Sequence, residues 1–389
     1  MQGYGCNEEQ KDYSMDPWQS CIPLIPSLHN LRAVSLKFTN RVCNPDRERP
    51  FYNYCGTESV PMRTHTLRQL FAALDHTHLN VETLSIENLQ DYTPHVYTEP
   101  SFQNVRAKLK GLHLNIAMEY SEHGPDQDSN IPDKHTFFNR QLNAHWLAPT
   151  QKQLTHLTLY GDSFWGVYPR WDPRGLHFPA LKSLSLGNWS IAHEWQVDWI
   201  LSHVDTLEEL YLDDCPIVHA LRFEQNQYGA LEWAEGELSV KDYGFEAGYM
   251  YPSLRWSRVL PLFTSHLKKL KRFGMAHGPW MVTEPREGDG NHAFARRYEL
   301  PARLEVGRYC IHDCGVLPTH WIVEDEMFTE HGFVWDEEDI KTREDDVVEQ
   351  ELEGMWDVED EEEEEKIRHP GGREEEKKAL DQLVAGLQT

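Results

Sequence analysis

The sequence has no run of about 18 apolar residues, the length that a membrane-spanning helix needs, although 39% of its residues are hydrophobic. Residues 1–13 are polar and lack the basic and then apolar profile of a secretory signal. The cysteines are odd in number and irregularly spaced, which disfavours a disulfide framework and fits a reducing compartment. They are Cys6, Cys21, Cys43, Cys55, Cys215, Cys310 and Cys314. These absences predict an intracellular protein, cytoplasmic or nuclear, with no membrane contact.

The sequence also lacks the motifs that build common active sites. It contains no Gly-x-Ser-x-Gly turn, no phosphate-binding glycine loop and no dinucleotide fingerprint. Its basic residues form no continuous patch that could contact phosphates, which disfavours nucleic-acid binding. We therefore expect no enzymatic activity, no catalytic residues and no cofactor. A hydrolase is the least favoured alternative, since folding could still bring a nucleophile and a base together.

One group of residues has the chemistry of a zinc site. It consists of Cys310, His312, Cys314 and His320. Thiolates and imidazoles suit zinc, but the common sites use a close cysteine pair and a second, distant pair. On a strand, the first three residues would lie nearly in line, which does not favour tetrahedral ligation. We expect a buried strand end rather than a metal site.

Negative charge is concentrated near the end of the chain. Residues 324–365 contain 22 acidic and two basic residues, a net charge of −20 out of −27 for the whole protein. This stretch contains too few apolar residues to fold alone. Residues 324–370 are therefore predicted to be a disordered acidic tail. Within residues 371–389, Leu380, Leu383 and Leu387 lie on one side of a short predicted helix. This helix could dock on the rest of the protein or bind a partner.

The most informative pattern occurs three times between residues 154 and 217. Leucines recur as L-x-x-L-x-L, beginning at Leu154, Leu181 and Leu207. The third copy continues to Cys215 and Ile217, which completes the form L-x-x-L-x-L-x-x-C-x-I. The spacing of 27 and then 26 residues is typical of leucine-rich repeats. A single repeat cannot bury its own leucines, so the copies predict a stack of parallel strands.

Looser copies extend this array in both directions. They begin at Leu31, Val81, Leu109 and Leu270, with a weaker last strand within residues 308–316. Helical patterns lie between several strands, and a long insertion covers about residues 220–252. The predicted fold is therefore an α/β leucine-rich-repeat-like solenoid over residues 28–323. A curved parallel sheet would form its concave side, helices and loops its convex side, and residues 1–27 an irregular lead-in segment.

Strand geometry predicts which side chains line the concave face. If the leucines point inwards, the third, fifth and seventh positions of each repeat point outwards. The centre of this face would carry small residues such as Ser183 and Ser185, flanked by tyrosines, histidines and acids. The predicted partner-binding residues there are His113, His156, Tyr160, Glu209, Tyr211 and Asp213. Such a face suits a protein partner with basic or polar groups; the alternative is a merely solvated surface.

A second candidate surface is the aromatic loop at residues 164–171. Trp165, Tyr168 and Trp171 concentrate side chains of the types that dominate binding hot spots. In the alternative interpretation, these rings only cover the core.

Several segments resemble the fungal F-box proteins that carry leucine-rich-repeat-like arrays. The resemblance rests on residues 28–36, the three central repeats, Phe273-Gly274-Met275 and residues 308–316 with the acidic stretch that follows. It covers about residues 20–389. In that family an N-terminal F-box docks on the adaptor of a cullin-type ubiquitin ligase, and the repeats select the substrate. The resemblance therefore implies a non-enzymatic substrate-recognition module.

The chain departs from that family at its N-terminal end. An F-box opens with a Leu-Pro pair followed by amphipathic helices, whereas residues 1–30 offer only Ile22-Pro23-Leu24 and no helical periodicity. Either an F-box lies upstream of Met1, and the adaptor is a partner, or the protein has no ligase connection. In the second case we expect a repeat scaffold or regulator whose acidic tail binds basic partners.

Overall fold

A computed structural model describes residues 19–39, 58, 60–117, 137–167, 169–224, 240–242, 247–276, 297–313, 321–323 and 372–387. The protein has an α/β fold in which most of the paired strands are parallel. It divides into two compact units, one of residues 1–163 and 173–185 and the other of residues 164–172 and 186–389. None of the described helices is both long and apolar enough to cross a membrane.

The first unit is built on parallel strands whose apolar residues are buried in register. Its strands lie in the order β1 (Ala33–Lys37), β2 (Thr83–Gln90), β3 (Gly111–Ala117), β4 (His156–Trp165) and β5 (Ser183–Trp189), the last two of which continue into the second unit. Leu84 pairs with Leu112, and Leu112 pairs with Leu157. All three are fully buried, and each such burial contributes about 1.5–3 kcal/mol. The repeat pattern thus predicted these strands correctly.

Helices lie between strands of the first unit, as the helical patterns in the sequence predicted. They are α1 (Val60–Leu74), α2 (Pro100–Arg106) and a π-helix (Phe137–Leu147). Phe71 and Trp146 both contact Phe102, with ring centroids 4.8 and 4.9 Å from it. This edge-to-face packing fixes the helices on one another. Residues 19–27, predicted to be irregular, form a 3₁₀ helix that contains Pro23 and Pro26.

The second unit continues the parallel strands from β5 to β6 (Glu209–Asp213) and then to β10 (Arg272–Ala276). Its helices are α3 (Glu194–Leu201) and α4 (Trp256–His266). The buried Gln196 side chain stabilises the start of α3. It accepts hydrogen bonds from the backbone N–H groups of Ala192 and His193 and donates one to the Ser190 carbonyl. Cys215 lies in the core, as predicted, and its thiol contacts the Leu186 carbonyl at 3.3 Å.

A second sheet in this unit corrects the prediction for the last array strand. It contains β7 (Ile217–Glu224), β8 (Val240–Asp242), β9 (Ala247–Met250), β11 (Tyr309–Asp313) and β12 (Trp321–Val323), in the order β12-β11-β7-β9-β8. The weak candidate at residues 308–316 is thus a strand, but β11 pairs with β7 and β12 and not with β10. The stretch taken for an insertion supplies β8 and β9. Apolar alternation predicts a strand without identifying its neighbours.

Strand ends share a feature that the leucine pattern did not reveal. Asn88, Asn188 and Asp214 adopt the left-handed conformation, with φ of 57, 55 and 52°. Each lies two residues after the last apolar residue of its L-x-L core, in β2, β5 and after β6. Asn and Asp tolerate this conformation better than other residues with a Cβ. An Asn or Asp therefore takes the left-handed conformation at equivalent places in three repeats.

The C-terminal helix, α5 (Arg373–Leu387), packs on α4 and is held there by a buried ion pair. The Arg308 Nε donates to the Glu376 Oε2 at 2.6 Å, and each side chain is only 1% exposed. The Tyr309 hydroxyl donates to the other Glu376 oxygen. Of the two alternatives for this helix, docking is the one observed. The predicted acidic tail lies outside the described residues, between β12 and α5 in the sequence.

Candidate partner-binding site

The outward positions of the first unit form a polar row that is less exposed than predicted. Thr158, Ser183 and Ser185 are fully buried, and Tyr160 is nearly so. The Tyr160 hydroxyl lies 3.2 Å from the Ser185 hydroxyl, so its ring leans over the small residue on the next strand. The prediction of an open centre lined by small side chains is wrong for this unit. Strands less than 5 Å apart let one large ring cover a small neighbour.

Two predicted histidines keep accessible surface in this unit. His113 and His156 are both half-buried on β3 and β4. The Nδ1 atom of His113 lies 2.8 Å from the Thr158 hydroxyl, and that of His156 lies 2.9 Å from the Thr155 hydroxyl. These contacts fix both rings against the sheet. A partner on this face of the first unit would contact the two imidazoles rather than Tyr160.

The outward positions of the second unit form a cluster of charged and aromatic side chains. Glu209, Tyr211 and Asp213 alternate along β6, and the register places Arg272 beside Glu209 and Gly274 beside Tyr211. Tyr298, from a short turn at residues 297–299, meets the Tyr211 ring edge-to-face at 5.8 Å. Glu209, Tyr211, Arg272 and Tyr298 are called the Tyr211 cluster below.

Tyr211 is buried because a later segment of the chain lies over its ring. Tyr211, Ala276 and Leu300 form a small apolar group, and the Met275 amide donates to the Pro301 carbonyl at 2.8 Å. Gly274 makes this approach possible, since a Cβ there would lie 2.7 Å from the Leu300 carbonyl oxygen and 3.0 Å from the Tyr211 ring. Tyr211 is consequently only 2% exposed, and Asp213 is also buried. Of the three predicted β6 residues, only Glu209 keeps accessible surface.

The electrostatics of the cluster follow from this partial burial. The Arg272 Nη1 donates to the Glu209 Oε1 at 3.3 Å, and its guanidinium lies 5.7 Å from the Tyr298 ring centroid. Burial and then the charge of Glu209 raise the pKa of Tyr211 to about 12, against an opposing effect of Arg272. The Glu209 Oε2 is buried without a hydrogen-bond partner among the described residues. The cluster therefore has acceptor capacity that no described residue uses.

Sequence reasoning missed two members of this cluster. Arg272 occupies the third position of the repeat that begins at Leu270, so the rule that selected Glu209 could have found it. Tyr298 follows no periodic pattern, because it comes from an irregular turn that the chain lays over β10.

The aromatic loop is part of the core of the second unit. Trp165 and Trp171 are completely buried, with ring centroids 5.2 Å apart, and Trp171 lies 5.8 Å from Trp189 and 5.1 Å from Trp199. The Trp165 indole N–H donates to the Gly187 carbonyl at 2.8 Å. Trp165 and Trp171 therefore pack in the core, as the alternative interpretation held, and neither offers accessible surface to a partner. Tyr168 lies outside the described residues.

The structure describes two of the four residues of the zinc candidate, Cys310 and His312. Cys310 is buried on β11, where burial raises the pKa of its thiol far above the ordinary value. His312 is on the same strand, and Cys314 and His320 lie outside the described residues. Among the residues whose placement the structure gives, no group of three or more His, Cys, Asp or Glu is arranged to hold a metal ion.

No protein-family model, curated protein or solved structure matches this chain.

Proposed function

We propose that this protein is a non-enzymatic protein-binding module, an α/β solenoid whose outward strand positions recognise another protein. The observation that carries the proposal is the Tyr211 cluster. It combines a half-exposed aromatic ring and charged groups at the surface with a buried carboxylate oxygen, the Glu209 Oε2, that has no hydrogen-bond partner among the described residues. Aromatic and arginine side chains are enriched at the centres of protein interfaces. His113 and His156 offer a second set of polar contacts on the first unit.

The repeated strand ends support the array on which this proposal depends. In a solenoid each repeat is one structural unit, so equivalent residues adopt equivalent conformations. Asn88, Asn188 and Asp214 follow this rule, because their left-handed backbone recurs at the same position of three repeats.

Site-specific photo-crosslinking would test the binding function. A photoreactive residue replaces His113, His156 or, as a control, the exposed Lys152 that lies outside the strands. In cells we expect the two histidine positions to crosslink the same protein and the control position not to do so. Identical products from all three positions, or none from the histidine positions, would contradict a specific binding face.

The resemblance to F-box proteins extends the proposal to ubiquitination. In that case the bound protein is a substrate, and an adaptor of a cullin-type ligase is the second partner. The test is titration of the purified 389-residue chain with the adaptor. A stoichiometric complex would support a docking element in this chain. If no complex forms, the proposed link to the ligase is contradicted.

A second candidate function is a scaffold or regulator that binds basic partners through residues 324–371. Its support is the net charge of −20 over residues 324–365, on a segment whose two flanks, β12 and α5, belong to the folded second unit. Closely spaced like charges attract a basic partner strongly at low salt and weakly at high salt.

Deletion of residues 336–365 distinguishes the two functions. This deletion retains β12 and α5 and therefore leaves the Arg308–Glu376 pair intact. If the strand face binds the partner, affinity survives the deletion. If the acidic segment binds it, affinity collapses and its salt dependence is lost.

A further inference from the structure

The Tyr211 cluster already binds one guanidinium, and it does so weakly. Arg272 makes a single 3.3 Å hydrogen bond to Glu209 and no bidentate pair, while its side chain remains 62% exposed. Exposed ion pairs of this kind are easily exchanged, because solvent competes for both partners. The cluster thus holds its own arginine in a replaceable position.

One buried carboxylate oxygen of the cluster has no hydrogen-bond partner among the described residues. A buried acceptor that loses its water is costly unless it receives a hydrogen bond. Among the described residues the Glu209 Oε2 accepts none, and the Tyr211 hydroxyl, on a side chain 2% exposed, has Arg272 as a neighbouring donor. A planar donor with several N–H groups would satisfy both oxygens of one carboxylate, which a single 3.3 Å contact does not.

The charges around the cluster favour a cation. Glu208, Glu209, Asp213 and Asp214 lie at consecutive or nearby positions of β6 and its end. Lys271 is engaged by Glu208 through an ion pair, which leaves Arg272 as the cation beside Glu209. The Tyr298 ring, 48% exposed, offers its face to a positive charge.

We propose that the Tyr211 cluster is a binding site for an arginine side chain of the partner protein, which displaces Arg272 from Glu209 and from the Tyr298 ring. The incoming guanidinium forms a two-oxygen contact with Glu209 and stacks on Tyr298, with Tyr211 beside it. This inference rests on the proposed function and names the chemistry that the partner brings. Arg272 acts as an internal competitor, which keeps the site from binding free cations tightly.

The probe for this site is the blocked tripeptide acetyl-Gly-Arg-Gly-amide. It is titrated into the full chain carrying ¹³C-labelled tyrosine, with the citrulline tripeptide as a neutral control of the same shape. We expect saturable shifts of the Tyr211 and Tyr298 resonances with the arginine peptide and none with citrulline. The absence of saturable shifts, or equal shifts with both peptides, would overturn the proposal.

Three variants separate recognition from simple surface contact. Glu209→Gln is expected to weaken binding at least about tenfold, because it removes a charge-assisted hydrogen-bond acceptor. Tyr298→Ala is expected to weaken it roughly two- to fivefold, whereas Tyr298→Phe, which keeps the ring, changes it little. Arg272→Ala is expected to tighten binding about two- to fivefold, since it removes the competitor. Weaker binding in Arg272→Ala would contradict the displacement.

Failure of this inference is distinguishable from failure of the proposed function. The crosslinks at His113 and His156 report on the first unit and do not depend on the Tyr211 cluster. Crosslinks without peptide binding would leave a binding module with a different recognition chemistry. Peptide binding without crosslinks would leave a genuine arginine site on a protein whose first unit binds no partner.

Discussion

Gly166 adopts a backbone φ of +111°, a region that side chains with a Cβ rarely enter, at the turn beside the tryptophan core. A Cβ at this position would lie 2.6 Å from the Trp189 ring and 2.7 Å from the Ser190 carbonyl oxygen. Gly175 has a comparable φ of +86° but nothing within 4 Å of its missing Cβ. Substitution of Gly166 by alanine would thus cause both backbone strain and steric overlap, whereas substitution of Gly175 would cause backbone strain alone.

We expect Gly166→Ala to lower the free energy of unfolding by at least about 3 kcal/mol, from strain plus overpacking. Gly175→Ala should lower it by about 1–2 kcal/mol, from strain alone. Denaturant titrations of the two variants and the parent protein measure the difference. Equal effects would show that the tryptophans move aside without cost.

Tyr309 predicts a specific response to alkaline pH. Its hydroxyl donates to Glu376 and accepts from the Trp256 amide at 2.9 Å. Burial, and then the negative charge of Glu376, raise the pKa of Tyr309 far above its ordinary value. The folded protein therefore keeps this phenol neutral at a pH where the unfolded chain ionises it.

A raised folded pKa stabilises the protein fully below the unfolded pKa of about 10, and that stability is lost as pH rises above it. Each such tyrosine contributes a slope of up to about 1.4 kcal/mol per pH unit. We expect Tyr309→Phe to unfold more easily at pH 8 but to show a shallower loss between pH 10 and 11. Parallel slopes for the variant and the parent protein, measured by urea unfolding, would refute this role.

At the scale of elements, the leucine pattern predicted where strands form but not all of their partners. Strands with L-x-x-L-x-L cores, such as β4 and β6, are specified by their own side chains. The pairing of β11 with β7 joins residues more than 90 positions apart in the sequence, which no local pattern encodes. The burial of Tyr160, Tyr211 and both loop tryptophans likewise depends on which segment lies over them.

The same distinction explains how much of the candidate site was predictable. Alternation along β6 correctly placed Glu209 at a partly accessible outward position. It could not reveal that the 297–302 segment covers Tyr211, because the approach is decided by the missing side chain of Gly274 on another strand. Sequence periodicity predicts on which side of the sheet a side chain lies. Its exposure depends on which other segments of the folded chain pack over it.

The stability of the protein should depend on the buried ion pair that holds helix α5. Glu376→Gln removes the charge that compensates buried Arg308, and we expect it to lower the free energy of unfolding by about 3–5 kcal/mol. The neighbouring exposed Glu375→Gln makes the same chemical change on the same helix and should stay within about 0.5 kcal/mol of the parent protein. Chemical denaturation followed by circular dichroism compares them. Similar midpoints for both variants would mean that the pair does not hold the helix.

For the whole molecule, the contacts of α5 should keep it bound to the second unit even when the chain between β12 and α5 is cut. We predict that a protease site inserted between Gln350 and Glu351 can be cut without release of the C-terminal fragment. The cut halves should coelute in size-exclusion chromatography, because α5 still buries Leu380 and Leu383 and retains the Arg308–Glu376 pair. With Glu376→Gln added, the fragment should dissociate. Spontaneous separation of the cut parent protein would contradict the prediction.

The same helix sets a condition on how the protein is made. Arg308 leaves the ribosome 68 residues before Glu376, a delay of about 3–14 s at ordinary rates of synthesis. During that interval the Arg308 guanidinium lacks the Glu376 carboxylate and α4 lacks the helix that packs on it, so the second unit cannot reach its final form until α5 has been synthesised. A nascent chain arrested before residue 373 thus exposes the surface of α4 and the Arg308 side chain, both of which α5 contacts in the folded protein. This is the state that a chaperone would encounter.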